Sequence, residues 1–151
     1  MFILYCAWKP RKEADLSDFW AAVEINDHFT MKFLDKSFNV SLVMLPSVKL
    51  CKRHTVTHLV IVPSRTASFA IRDAIRDTWA NQSNAAALRV GRVVVYFLVS
   101  IQQDEAIMRQ IVNESVEYND LIVTSIDENY YNLTLKVKHL SAHCGSGVFK
   151  S

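Results

Sequence analysis

The sequence predicts an α/β protein built on a parallel sheet, and three observations lead there. Continuous apolar runs recur at His58 to Val62, Arg92 to Val99 and Asp120 to Thr124; runs without alternation suit strands buried on both faces. Amphipathic stretches with helical spacing separate them. The resulting order, strand then helix three times over, requires parallel strands joined by right-handed crossovers. With 151 residues the chain has room for one domain. Its 50% hydrophobic and 21% charged content excludes intrinsic disorder, and three glycines with three prolines are few for an all-β protein.

The first strand, from His58, stops at Pro63-Ser64. Ser68 is placed to cap a helix running to about Ala80, with Ile71, Ala74, Ile75, Thr78 and Trp79 on one apolar stripe. A polar and small-residue link covers Asn81 to Ala87. The second helix runs from Asp104 to Ser115 and carries Ile107, Met108, Ile111 and Val112; the third is expected over Asn132 to His143. Upstream, residues 1–45 read as a poorly defined stem or misjoined segment. A short helix is expected there from Glu13 to Ile25, then a mixed stretch ending in Leu42-Val43-Met44-Leu45 before Pro46.

The net charge of +2 is too small to argue for nucleic acid or an anionic membrane surface. Its distribution is uneven. Residues 49–92 hold eight Lys or Arg against Asp73 and Asp77, whereas residues 104–128 hold seven acids against Arg109. In an open parallel sheet, ligands sit beyond the carboxyl ends of the strands, which points to Pro63-Ser64-Arg65-Thr66 and the helix after it. Arg72 and Arg76 stand one turn apart on that helix. They either hold an anion at its N-terminus or pair with Asp73 and Asp77 on a solvated face. No GxGxxG, GxxxxGK[ST] or GxSxG pattern occurs, which excludes the dinucleotide, P-loop and nucleophile-elbow readings. His139, His143 and Cys144 are neighbours without a supporting metal motif.

Cys6, Cys51 and Cys144 leave one thiol over whichever pair forms. Phe2 to Trp8 is too short and too plain for a membrane span or a signal peptide. Four of eight asparagines lie in N-x-[ST] sequons, at Asn39, Asn81, Asn113 and Asn132, which leans towards the secretory pathway.

Several ordered pieces resemble one family. These are the strand His58 to Val62 with Ser64; Arg72-Asp73-Ala74-Ile75-Arg76-Asp77-Thr78-Trp79; Val94 to Val99; Glu117 to Ile122; and Tyr130-Tyr131-Asn132-Leu133-Thr134-Leu135-Lys136. Together they resemble the β1,3-galactosyltransferase family, which includes the β1,3-N-acetylglucosaminyltransferases. The resemblance implies that residues 46–144 are the N-terminal, nucleotide-sugar-binding βαβαβα half of a GT-A (Rossmann-like) domain, with 145–151 a tail unlike the family. It implies a type II enzyme of the Golgi membrane that moves galactose or N-acetylglucosamine from a UDP-sugar, in β1,3 linkage, to a glycan acceptor, with Mn²⁺ on the diphosphate. Ser64, Arg72, Arg76, Asn132 and Lys136 would bind the nucleotide sugar. The partners implied are the donor, the acceptor and related glycosyltransferases.

The chain also departs from the pattern. Ser125 and Glu128 stand where the resemblance implies Asp, Thr66 where it implies Pro, and Ile71 where it implies Arg. No D-x-D metal motif occurs in the chain. The resemblance places that motif and the acceptor-side base beyond Ser151. The expectation is a chain with no catalytic residue of its own, an inactive fragment that binds nucleotide weakly or associates with partners.

Overall fold

The computed structural model describes residues 28–33, 36–46, 56–129, 132 and 136. Five strands form one sheet in the order β1-β2-β5-β4-β3. They are β1 (His28–Phe33), β2 (Lys36–Met44), β3 (His58–Pro63), β4 (Val93–Ser100) and β5 (Leu121–Thr124). Strands β3, β4 and β5 are parallel, as predicted. Helices α1 (Phe69–Asp77), α2 (Ala86–Arg89) and α3 (Glu105–Tyr118) fall between them. The expected helices over 13–25 and 132–143 lie outside the described residues, apart from Asn132 and a helical Lys136.

Strand β4 is the centre of the fold. Its alternate residues feed two apolar clusters, as strand geometry requires. Phe97 and Val99 join Leu121 and Val123 of β5 against Met108, Ile111 and Val112 of α3. Tyr96 and Leu98 join Ile122 and Leu42 on the other face. Strand β5 is buried along its whole length. Strand β3 is only half-buried, contrary to the expectation of two covered faces, because among the described residues it ends the sheet and pairs with β4 alone.

Three local expectations change for physical reasons. Helix α1 ends at Asp77 rather than Ala80, where Thr78 turns its hydroxyl back onto the carbonyl of Ala74 at 2.6 Å. Its expected apolar stripe is rotated: Ile71 and Trp79 are 60% and 50% exposed, while Arg72 is fully buried. Ion pairing makes that burial possible. Helix α3 runs three residues further than predicted, because Asn119 adopts the left-handed conformation and closes the helix with its N–H on Ser115 O. Its start is set by Asp104, whose carboxylate accepts from the N–H groups of Ala106 and Ile107.

The mixed stretch before Pro46 contributes two strands. Strands β1 and β2 form an antiparallel pair, and β2 continues the sheet antiparallel to β5 through a bulge between Leu42 and Met44. Ser125 secures this join. Its hydroxyl accepts the N–H of Ser41 at 2.9 Å, and its own N–H donates to Ser41 O at 3.0 Å. The sheet therefore crosses the boundary drawn at residue 46, with β2 pairing the β5 edge.

Candidate functional site

Two groups of charged residues stand out. The first lies between α1 and α3. Arg72 gives all five of its N–H donors to protein acceptors. Nε and Nη2 fork onto Glu114 at 2.8 and 2.6 Å, Nη1 reaches Ser64 Oγ and Arg65 O at 3.1 and 2.8 Å, and Nη2 also meets Thr66 O at 3.0 Å. Arg76 bonds Glu114 at 2.7 Å, both oxygens of Asp120 at 2.8 Å and Asp73 at 2.8 Å. Its guanidinium lies 3.9 Å from the centre of the Tyr118 ring and 4.9 Å from that of Phe97. Burial alone would lower the Arg76 pKa, but Asp120 and Glu114 outweigh it and hold the group charged well above its usual range. Glu114 and Asp120 offset the two arginines, which is how buried charge is tolerated, while the third carboxylate, Asp73, is solvated.

The second group surrounds a cleft of about 790 Å³ at the carboxyl ends of β3, β4 and β5. Pro63, Ser64 and Arg65 supply one wall, the β4–α3 connection through Asp104 another, and Asp127, Glu128 and Asn129 a third, with Lys136 reaching in. This is where an open α/β sheet binds its ligand. Glu128 ties two walls together. One of its carboxylate oxygens accepts from Thr66 N–H at 3.1 Å and from Gln102 Nε2 at 2.9 Å. Buried Thr66 is also pinned to the end of β4, its hydroxyl donating to Ser100 O at 2.9 Å and accepting Ser100 N–H at 3.2 Å. Two of the departures noted in the sequence thus meet: a proline at 66 would have no N–H for Glu128.

The cations of this cleft differ from those of the first group. The Arg65 side chain is exposed and forms no ion pair among the described residues. Lys136 is 6% exposed. Burial pushes its pKa below the ordinary lysine value, with Glu128 and Asp127 pulling it partway back.

Of the five residues assigned to the nucleotide sugar, Ser64 and Lys136 line the cleft. Arg72 touches Ser64 from behind and presents no spare donor. Arg76 faces Asp120 and Glu114 instead of the cleft. Asn132 donates to Asp127 O at 3.3 Å. Neither sequence reading of the arginine pair anticipated Glu114, the buried acid on α3 that holds both. Its place three residues after Ile111, on the apolar side of an amphipathic helix, was the available signal. Arg65 was also missed, although it lies in the loop that the strand-end rule singled out. His139, His143 and the three cysteines lie outside the described residues.

A mixed sheet with a parallel core, helices between its parallel strands and a polar cleft at their carboxyl ends are the features of a partial Rossmann-like α/β domain. The family model described as Galactosyltransferase matches residues 70–143. Over 115 residues the chain is 30% identical to beta-1,3-galactosyltransferase bre-2 of Caenorhabditis elegans, covering 76% of this chain and 31% of that protein. It is 31% identical over 86 residues to human beta-1,3-galactosyltransferase 2, covering 57% and 20%. Against mouse beta-1,3-galactosyltransferase 1 the identity is 27% over 86 residues, covering 57% and 26%. The chain belongs to the galactosyltransferase family and holds part of its domain, spanning less than a third of the length of these relatives.

Proposed function

We propose that this chain is the donor-binding half of a β1,3-hexosyltransferase, which moves galactose or N-acetylglucosamine from a UDP-sugar to a glycan acceptor. The observation that carries the reading is the strand-end cleft with two cations, Arg65 and Lys136. A diphosphate is an anion, and charge-assisted bonds to it are about twice as strong as neutral ones. When the glycosidic bond breaks, negative charge grows on the departing UDP; a fixed cation there lowers the barrier. Lys136 is buried at a cost in the cleft wall, and an anionic ligand relieves it. Ser64 is held at the cleft wall by Arg72, which makes Arg72 a positioning residue.

The family resemblance also implies Mn²⁺. Among the described residues no three His, Cys, Asp or Glu side chains are grouped to hold an ion. The carboxylate of Asp104 caps α3, and Glu128 bridges Thr66 and Gln102. These described residues do not fit the metal. The proposed setting is the Golgi membrane, in the orientation of a type II protein. Among the described residues no helix is long and apolar enough to cross a membrane.

One observation favours a second reading. Asp104, Asp127 and Glu128 outnumber the two cations of the cleft, which suits a chain that binds nucleotide weakly or associates with related glycosyltransferases. Calorimetry with UDP, followed by transfer assays with UDP-galactose and UDP-N-acetylglucosamine in Mn²⁺, separates the two. Arg65→Ala and Lys136→Ala are each expected to weaken UDP binding by about 1.5–3 kcal/mol, the range for a hydrogen bond to a charged group. Unchanged affinity in both variants overturns the site. UDP binding without transfer selects the second reading.

A further inference from the structure

Four sequons share one chemical pattern, but the fold treats them differently. An acceptor asparagine and its hydroxyl partner must be presented together to one enzyme site. Asn113 and Ser115 lie inside α3, where residues two apart do not face the same way. Asn39 and Ser41 lie inside β2, and Ser41 is buried with its backbone bonded to Ser125. The side-chain amide of Asn132 is engaged with Asp127 O.

Asn81 stands in a turn between elements, after α1 and before α2. Its Oδ1 accepts both the N–H of Ser83 at 2.9 Å and the hydroxyl of Ser83 at 2.6 Å. The two side chains of the sequon are therefore side by side. Its amide nitrogen donates no hydrogen bond among the described residues, and Gln82 and Ser83 are exposed. Both bonds span two residues, so they form from local sequence without tertiary support. Trp79, two residues earlier and 50% exposed, leaves an uncovered aromatic ring beside the turn; the apolar face of a pyranose packs on such a ring. Helix α1 starts near the cleft and runs back along the sheet, so Asn81 lies at the end away from the cleft.

We propose that Asn81 is the glycan-bearing asparagine of this chain. The donor is a lipid-diphosphate-linked oligosaccharide. The Asn81 amide nitrogen bonds to C1 of the first sugar, and the C1–O bond to the diphosphate breaks. The bonding pair leaves with the lipid diphosphate, and one amide proton passes to a base of the transferring enzyme. The proposal rests on the reading that this chain enters the secretory lumen.

The test expresses the full chain in mammalian cells in two forms, with its own N-terminus and behind a cleavable secretion signal. Mobility is read before and after peptide N-glycosidase. The signal-led chain is expected to lose one glycan step on digestion, and that step is absent from both Asn81→Gln and Ser83→Ala. The Asn113→Gln variant is expected to keep it. A signal-led chain without any glycan overturns the assignment, as does an Asn81→Gln variant with the full shift. A glycan on the signal-led form alone counts against lumenal entry of the native chain and leaves Asn81 supported. UDP affinity of the Asn81→Gln variant is expected to be unchanged, as the position predicts.

Discussion

The α1–α3 ion cluster and the strand-end cleft both contain cations and carboxylates, yet their donors are spent differently. In the cluster every N–H of Arg72 has a protein acceptor, and Arg76 meets three carboxylates. In the cleft Arg65 is free of ion pairs among the described residues, and Lys136 is buried against its preference. A saturated arginine cannot serve a ligand without breaking its own bonds, so it is architecture. An unsaturated cation in a cleft is available to one. Arginine spacing in a sequence does not distinguish the two cases; the inventory of acceptors does.

The largest expected effect tests the architectural side. Arg72→Ala leaves Glu114 buried with one partner fewer, and breaking such a pair costs roughly 3–5 kcal/mol. That is a large share of a typical domain stability of about 5–15 kcal/mol. Urea unfolding should show it, and Arg72→Lys should not rescue it, because an ammonium cannot reproduce the fork. A loss below about 1 kcal/mol would break the comparison. Arg65→Ala, which weakens UDP binding, is expected to leave the urea midpoint in place.

A smaller effect with a definite pH dependence comes from Lys136. Its folded-state pKa lies below the unfolded value, so the unfolded chain binds the proton more tightly and folding is opposed. That cost is complete below the folded pKa and fades as the pH rises towards 10.5. Lys136→Met is therefore expected to raise stability at neutral pH, with an advantage that shrinks as the pH approaches 10.5. An advantage constant across that range would assign the gain to packing.

The smallest effect concerns the exposed pair Glu105–Arg109, at 3.6 Å on α3. Glu105→Ala should cost no more than about 0.5 kcal/mol, the range for a surface i,i+4 pair. Measured beside Arg72→Ala, it sets the scale between a solvated ion pair and a buried one.

The parallel core was legible because strands β4 and β5 write their burial as continuous apolar runs, whereas the same pattern overstated the burial of β3, and Pro63 and Asp104 mark ends through backbone chemistry. The location of the cleft was legible too, since it follows from strand direction. The role of Arg72 was not. Its three acceptor residues around the loop, Ser64, Arg65 and Thr66, lie six to eight positions away, but Glu114 lies 42 away. The β2–β5 pairing was hidden for the same reason, as Ser41 and Ser125 are 84 positions apart. Local sequence determined where this chain turns, caps and buries strands, because those choices are made within a few residues. The tertiary structure alone decided which charges are satisfied, because a long-range partner supplies the acceptor and no local pattern records it.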